Sequence, residues 1–437
     1  MLGSRFLRTS CRAGLNAARV LGRSNTAAMS TGPPRSATSR IGIICGTAVV
    51  GFAGGCFLSD VYADEVAARL FAWGSDQYGQ LGVGSGVDEQ QPTEASSASP
   101  HAVIDVDAAG LSTGVLTSNG EFFTFGCGMH GRLGHGPSLL NLSTPRKVQG
   151  IPKPIAAISV GENHVAAVTV DGELYTAGRQ IHGCLGHSNE DKARPARVLG
   201  ALDGKQVVAV ACGTKHSLAL TAAGEVYAFG EGRTLALGQG DSKANADSPA
   251  LVEALQGKHV VEVAAGNGFS VARTKDGEVY SWGSNDYGQL GQGITKRYNS
   301  VGKVVIDESV SAISCGDFHV VALADDGRKV YSFGCGGDGR TGLGNTENTA
   351  FPQQISGLAT EKVVLVAAGG SHSMATTADN KIFTWGKGRN GQLGQGDQIA
   401  SVAAYRTQPV EISSVGTPIS IACGKDHSCM IVQDAEA

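Results

Sequence analysis

Two short stretches, HGRLGH at 130–135 and HGCLGH at 182–187, each hold two histidines, and Cys184 lies inside the second. Four imidazoles and a thiolate are suitable zinc or copper ligands. The two stretches lie 52 residues apart at equivalent points of a repeat, which separates them, so they are read as polar turns and no metal is expected. Five further histidines, His164, His216, His319, His372 and His427, share one repeat position, and Ser217, Ser373 and Ser428 follow three of them. A His beside a Ser can activate a nucleophile. An active site is not written five times in one chain, however. These histidines are read as turn caps bonded within their own blade, with Thr113 and Phe269 in the two remaining positions. No G-x-x-x-x-G-K-[ST] phosphate loop occurs. The chain is read as a non-enzyme with no cofactor and no small-molecule substrate.

The ten cysteines show no C-x-x-C spacing and are read as free thiols. Cys212, Cys315 and Cys423 alternate with Ala and Val at one position, the mark of a tight buried slot. Cys127 and Cys335 share a second slot with Ser75, Arg179, Glu231, Ser284 and Lys387, which reads as exposed.

The elements that position these residues follow from the repeat. An aromatic-Gly or Ala-Gly pair ends at Gly74, Gly126, Gly178, Gly230, Gly283, Gly334 and Gly386, in steps of 51–53 residues. A Leu-Gly pair follows, eight residues on in six copies and ten in the sixth, at Gly344. A Pro precedes or opens a strand-like segment in six copies, as an edge strand tolerates. Between landmarks lie short β-rich runs such as VVAVACG, HSLALT and EVYAFG, parted by Gly turns and no long amphipathic helix. A period near 50 with three to four strands per unit predicts a propeller blade. The fold class is therefore all-β, a seven-bladed β-propeller. The last copy stops after HSCMIV, and LFAWG at 70–74 supplies the strand it lacks. The N- and C-terminal strands should close one blade together, which removes free sheet edges.

WGxxxxGQLG followed by GxxHS at this period resembles the regulator of chromosome condensation repeat family, over residues 70–432. The resemblance implies a rigid interaction ring. Some members exchange nucleotide on small GTPases through an inserted β-wedge, for which the uniform period leaves little space; two extra residues near 337–344 are the length departure. Light-sensing members use a dense Trp cluster, whereas this chain has three Trp.

Residues 1–40 carry Arg5, Arg8, Arg12, Arg19 and Arg23 on one helical face and no acid, which reads as a mitochondrial transit peptide. IGIICGTAVVGFAGGCFL at 41–58 is uncharged and near the lower length of a membrane span. Arg35 and Arg40 precede it and acids follow, so the body should face the intermembrane space. Cleavage near Ala63 would make it a sorting segment instead, and a plastid signal has similar form. Residues 59–69 are read as a linker, 70–432 as the propeller and 433–437 as a tail. Beyond residue 63 the chain holds 28 basic and 38 acidic residues, a poor match to nucleic acid.

The expected function is a non-enzymatic scaffold or assembly factor at the mitochondrial inner membrane, serving a respiratory complex such as cytochrome bc1. The alternative is an exchange or ribosome-associated factor for a mitochondrial GTPase. Partners are thus membrane-complex subunits or a small GTPase, with the membrane engaged through 41–58. The loops that depart most from the repeat should meet the partner: Arg179, Gln180 and His182; Glu231 and Arg233; Asp338, Arg340 and Thr341.

Overall fold

The computed structural model describes residues 68–433 except 98, 139, 295 and 397–403. The targeting segment 1–40, the apolar segment 41–58, the linker up to 67 and residues 434–437 lie outside the described residues. Among the described residues no helix is long and apolar enough to cross a membrane.

Seven antiparallel four-stranded sheets form the propeller. Blade 4 shows the plan: Val207–Cys212 lines the axis, followed outward by His216–Thr221, Val226–Gly230 and Ala246–Leu251. The three inner strands are buried almost throughout, because both faces of each sheet pack against neighbouring blades. That is why they are written in Ala, Val, Ser and Cys rather than in alternating apolar and polar residues. The outermost strand meets solvent and carries Pro249 where no ladder donor is needed. Blade 3 has the shortest outer strand, Ala196–Arg197.

Blade 1 is closed as the sequence implies. Ala68–Gly74 lies between Glu89–Glu94 and His427–Gln433, and Thr417–Cys423 lines the axis. Seven apolar clusters fill the spaces between adjacent blades.

The repeat gives the ring two unlike faces. One, the turn face, carries the tight turns between second and third strands and the links to the next blade. Ala68 and Gln433 are paired neighbours on this side, while Gly74 and His427 pair at the far end. The other, the loop face, carries the turn after each axial strand and the long loop before each outer strand. The aromatic-Gly pair marks its edge. Gly230 sits at φ +118°, and a Cβ there would lie 2.5 Å from the Lys215 carbonyl oxygen, so only glycine fits.

One two-residue departure read from the sequence is absent. In blade 6, Thr341-Gly342 occupies the Leu-Gly position: the Gly342 amide donates to the Gly339 carbonyl as Gly134 does to Gly131. A Cβ on Gly342 would press on Trp385, as one on Gly82 would on Phe125. The spacing is therefore eight residues in every blade, and the literal Leu343-Gly344 lies past the turn.

Candidate interaction face

The loop face is built on buried cross-blade latches. His164 Nε2 lies 2.8 Å from Ser217 Oγ of the next blade, and Ser217 Oγ donates to the Cys184 carbonyl at 2.8 Å. The serine proton is thus spent, so the histidine must donate from Nε2. The arrangement recurs for His216–Ser270, His319–Ser373, His372–Ser428 and His427–Thr113. These histidines bridge blades; the expectation of caps bonded within one blade is corrected. Each ring also packs on its own turn glycine: a Cβ on Gly424 would lie 2.0 Å from His427 Cε1. Burial holds these imidazoles neutral, lowering His164 and His427 to about 3 and His216 and His372 to about 4.

Strand pairing also corrects one position. Ser112 faces Gly126 as His216 faces Gly230, so Ser112, not Thr113, stands in the histidine position of blade 2. Thr113 stands in the serine position and receives His427.

The residues expected to meet a partner divide into two kinds. Arg179 and Arg233 are exposed at loop crests, with no side-chain partner among the described residues. His182 is exposed, 3.5 Å from Glu231, which Lys215 approaches at 3.6 Å. Asp338 is exposed beside Arg340 at 3.6 Å. The others face inward. Gln180 braces its loop by accepting from the Leu185 amide, as Asp76 does for Leu81 and Asn285 for Leu290. Arg340 is buried and donates to the Gly337 and Gly370 carbonyls. Thr341 is fully buried in its leucine slot.

The sequence reading missed the axial mouth. There the turns after the inner strands bring Glu162, Asp317 and Lys425 toward one opening. Burial raises the Asp317 carboxyl, the Glu162 charge adds to this, and Lys425 opposes it. Each charge sits in a different repeat at a non-consensus position, so sequence spacing does not reveal the convergence. Phe318, next to Asp317, meets Tyr287 edge-on at 5.2 Å.

The His/Cys stretches are not assembled. His135 bonds Thr124, His187 approaches the Thr176 carbonyl, His182 faces Glu231, and the Cys184 thiol is buried, burial raising it to about 11. Among the described residues no three His, Cys, Asp or Glu side chains group as metal ligands. Cys212, Cys315 and Cys423 are buried as expected. Cys127 is buried too, which corrects its reading as exposed; Cys335 is half-buried. In each copy the slot's backbone is tied to its own blade's axial turn, the Cys127 amide donating to the Leu111 carbonyl as the Arg179 amide does to Asn163, and it is the length of the side chain that decides exposure.

The RCC1-like domain pattern matches residues 69–430. The chain is 31% identical over 416 residues to "RCC1 domain-containing protein RUG3, mitochondrial" of Arabidopsis thaliana, covering 85% of this chain and 90% of that one. It is 34% identical to "Ultraviolet-B receptor UVR8" of the same plant, over 75% of each. It also matches human "E3 ubiquitin-protein ligase HERC2" at 34% identity, over 83% of this chain but only 8% of the ligase. Among solved structures, human WBSCR16 superposes with TM-score 0.75 at 24% identity, over 85% of this chain and all of that one. Prp20p of Saccharomyces cerevisiae gives 0.76 at 22%, over 87% and 96%. The chain belongs to the RCC1-like family of seven-bladed propellers.

Proposed function

We propose that the protein is a non-enzymatic interaction propeller of the mitochondrion, anchored at the inner membrane by residues 41–58 and facing the intermembrane space. It holds or helps assemble a respiratory complex such as cytochrome bc1. The observation that carries this reading is a pair of exposed arginines on the loop face, Arg179 in blade 3 and Arg233 in blade 4, which have no ion-pair partner among the described residues. Between them His182 meets Glu231, and Asp338 is exposed on blade 6. A face with unspent charge is a docking surface. The name of the Arabidopsis relative supports the compartment.

The second reading is an exchange or ribosome-associated factor for a mitochondrial GTPase. It draws on the Prp20p structure, whose title names binding to Gsp1p and histones.

Protease protection of a C-terminal tag in mitochondria and mitoplasts, with alkaline extraction, tests the first reading. Digestion in mitoplasts only, with resistance to extraction, is expected. A tag that survives in mitoplasts puts the body in the matrix and moves the GTPase reading to first place. In the same cells, Arg179→Glu with Arg233→Glu should remove respiratory-complex subunits from proximity labelling at unchanged protein level. An unchanged labelling set would overturn the docking surface.

A further inference from the structure

The seven blade interfaces are not equally fastened. Besides a buried arginine that reaches the next blade's axial turn from blades 2 and 6 (Arg132 to the Glu162 carbonyl, Arg340 to that of Gly370), three devices recur. The first is the His-to-Ser/Thr latch just described. The second is an aromatic wedge: Trp73, Phe125, Phe229, Trp282, Phe333 and Trp385 each lie against the turn glycine of the preceding blade. Each Trp also donates to a carbonyl of that blade, at 2.8–3.0 Å. The third is a side chain on the axial strand that accepts an amide of the next blade. Ser420 takes Val106, Ser159 takes Cys212, and Ser314 takes Ala368.

Two interfaces lack the latch. Between blades 5 and 6, Phe269 and Val320 replace the His and the Ser. There Phe333 still wedges, and Glu262 accepts the Ile313 amide at 2.9 Å while paired with Arg273. Between blades 2 and 3, Ser112 and Val165 replace the pair, and the Ser112 hydroxyl has no partner. Here the wedge is missing as well: Ala177 stands in the aromatic position, with its Cβ 3.6 Å from the Cβ site of Gly134. Among the described residues this interface has the smallest apolar cluster, nine buried residues against 11 to 15 elsewhere. Its axial tie is Asp107, which accepts Val160 at 2.7 Å from the slot where other blades have Ser or Ala. Asp107 is buried without a cation, an arrangement that favours exposure to water.

We infer that the ring opens locally between blades 2 and 3, while the other six interfaces stay closed. Three independent deficits coincide there, in wedge, latch and charge compensation. Opening separates the loops that carry His130 on one side and Arg179 and His182 on the other. It gives the loop face a movable joint, and this does not depend on which partner binds.

Five amides report on five interfaces: Val160, Cys212, Ile313, Ala368 and Val106. Residue-resolved hydrogen exchange of the propeller in its native state, corrected for intrinsic rates, should show Val160 exchanging at least about tenfold faster than Cys212, Ala368 and Val106. Ile313 should fall between. Ser112→His with Val165→Ser restores the latch and should bring Val160 down to the level of the rest. As a second readout, Val165→Cys should alkylate at least about tenfold faster than Val320→Cys. Equal protection of Val160 and Cys212, or faster exchange at Val106 than at Val160, overturns the inference. So does equal alkylation of the two introduced thiols.

Discussion

On the turn face each blade carries an ion pair of its own. Arg69–Glu94, Lys147–Glu121, Arg197–Glu173, Lys205–Glu225, Lys303–Glu278, Lys329–Glu308 and Lys381–Glu361 give one such pair per blade. The order of charge even inverts without consequence: Glu opens the third strand region in blades 2 to 5, whereas Lys does so in blades 6 and 7. On the loop face the conserved-looking signature is uncharged and buried, and the charges that remain belong to individual loops. The difference separates two kinds of work. Exposed pairs on the turn face add little stability. Buried latches and wedges beneath the loop face hold the ring, which leaves the loop crests free to vary.

Four experiments would break or sharpen this contrast. The largest effect should come from acid. A histidine whose folded value is lowered takes up its proton first in the unfolded chain. Its contribution is complete above about pH 6.5 and is lost as pH falls toward the folded values of about 3 to 4. Asp107, raised by burial to about 6, works in the opposite sense, as do Asp76, Glu262 and Asp317, also raised by burial, and they offset part of this loss. Denaturant unfolding at pH 7 and pH 5 should therefore show a loss of several kcal/mol, on the order of 1–2 for each latch histidine. A flat profile would mean that the latches carry charge in the folded state.

Next, Trp385→Ala removes a fully buried wedge and its hydrogen bond to Arg340, at a cost of about 3–5 kcal/mol in chemical denaturation. A third test, His372→Ala, leaves Ser428 its bond to Gln392 and should cost about 2 kcal/mol. His372→Phe with Ser428→Val, which copies the natural pair between blades 5 and 6, should recover at least half of that loss. The smallest effect is expected on the turn face. Lys205→Ala should leave Tm within about 1 °C of the parent, because its pair with Glu225 is solvent-screened. A large drop there would erase the distinction between the faces.

Much of the architecture was legible in the sequence. The period, the seven blades and the shared closure of blade 1 follow from glycines that must recur, because a Cβ at Gly230 or Gly424 meets neighbouring atoms. Register inside Gly-rich loops was less legible. The string TGLG offers two Gly-containing pairs, and the fold uses the first because Gly342, not Gly344, packs against Trp385 of the next blade. The latch was hidden because its members stand a full period apart. A signal did exist: Val165 and Val320 replace the serine only after blades whose own histidine is Ser112 or Phe269. Of the residues expected to meet a partner from their departure from the repeat, Arg179, His182, Arg233 and Asp338 are exposed and Glu231 is half-buried. Gln180, Arg340 and Thr341 depart from it equally but serve the loop's own packing.

The pairing of Ala68 with Gln433 makes the ring topologically seamless. Partners in an antiparallel ladder sit about 5 Å apart, so a peptide of a few residues could join them. New ends could then be opened at a turn such as that around Gly224, between the second and third strands of blade 4. Blade 1, now built from Ala68–Gly74 and Glu89–Glu94 together with Thr417–Cys423 and His427–Gln433, would become a continuous segment. The circularly permuted chain would keep the same loop face while its termini moved around the rim.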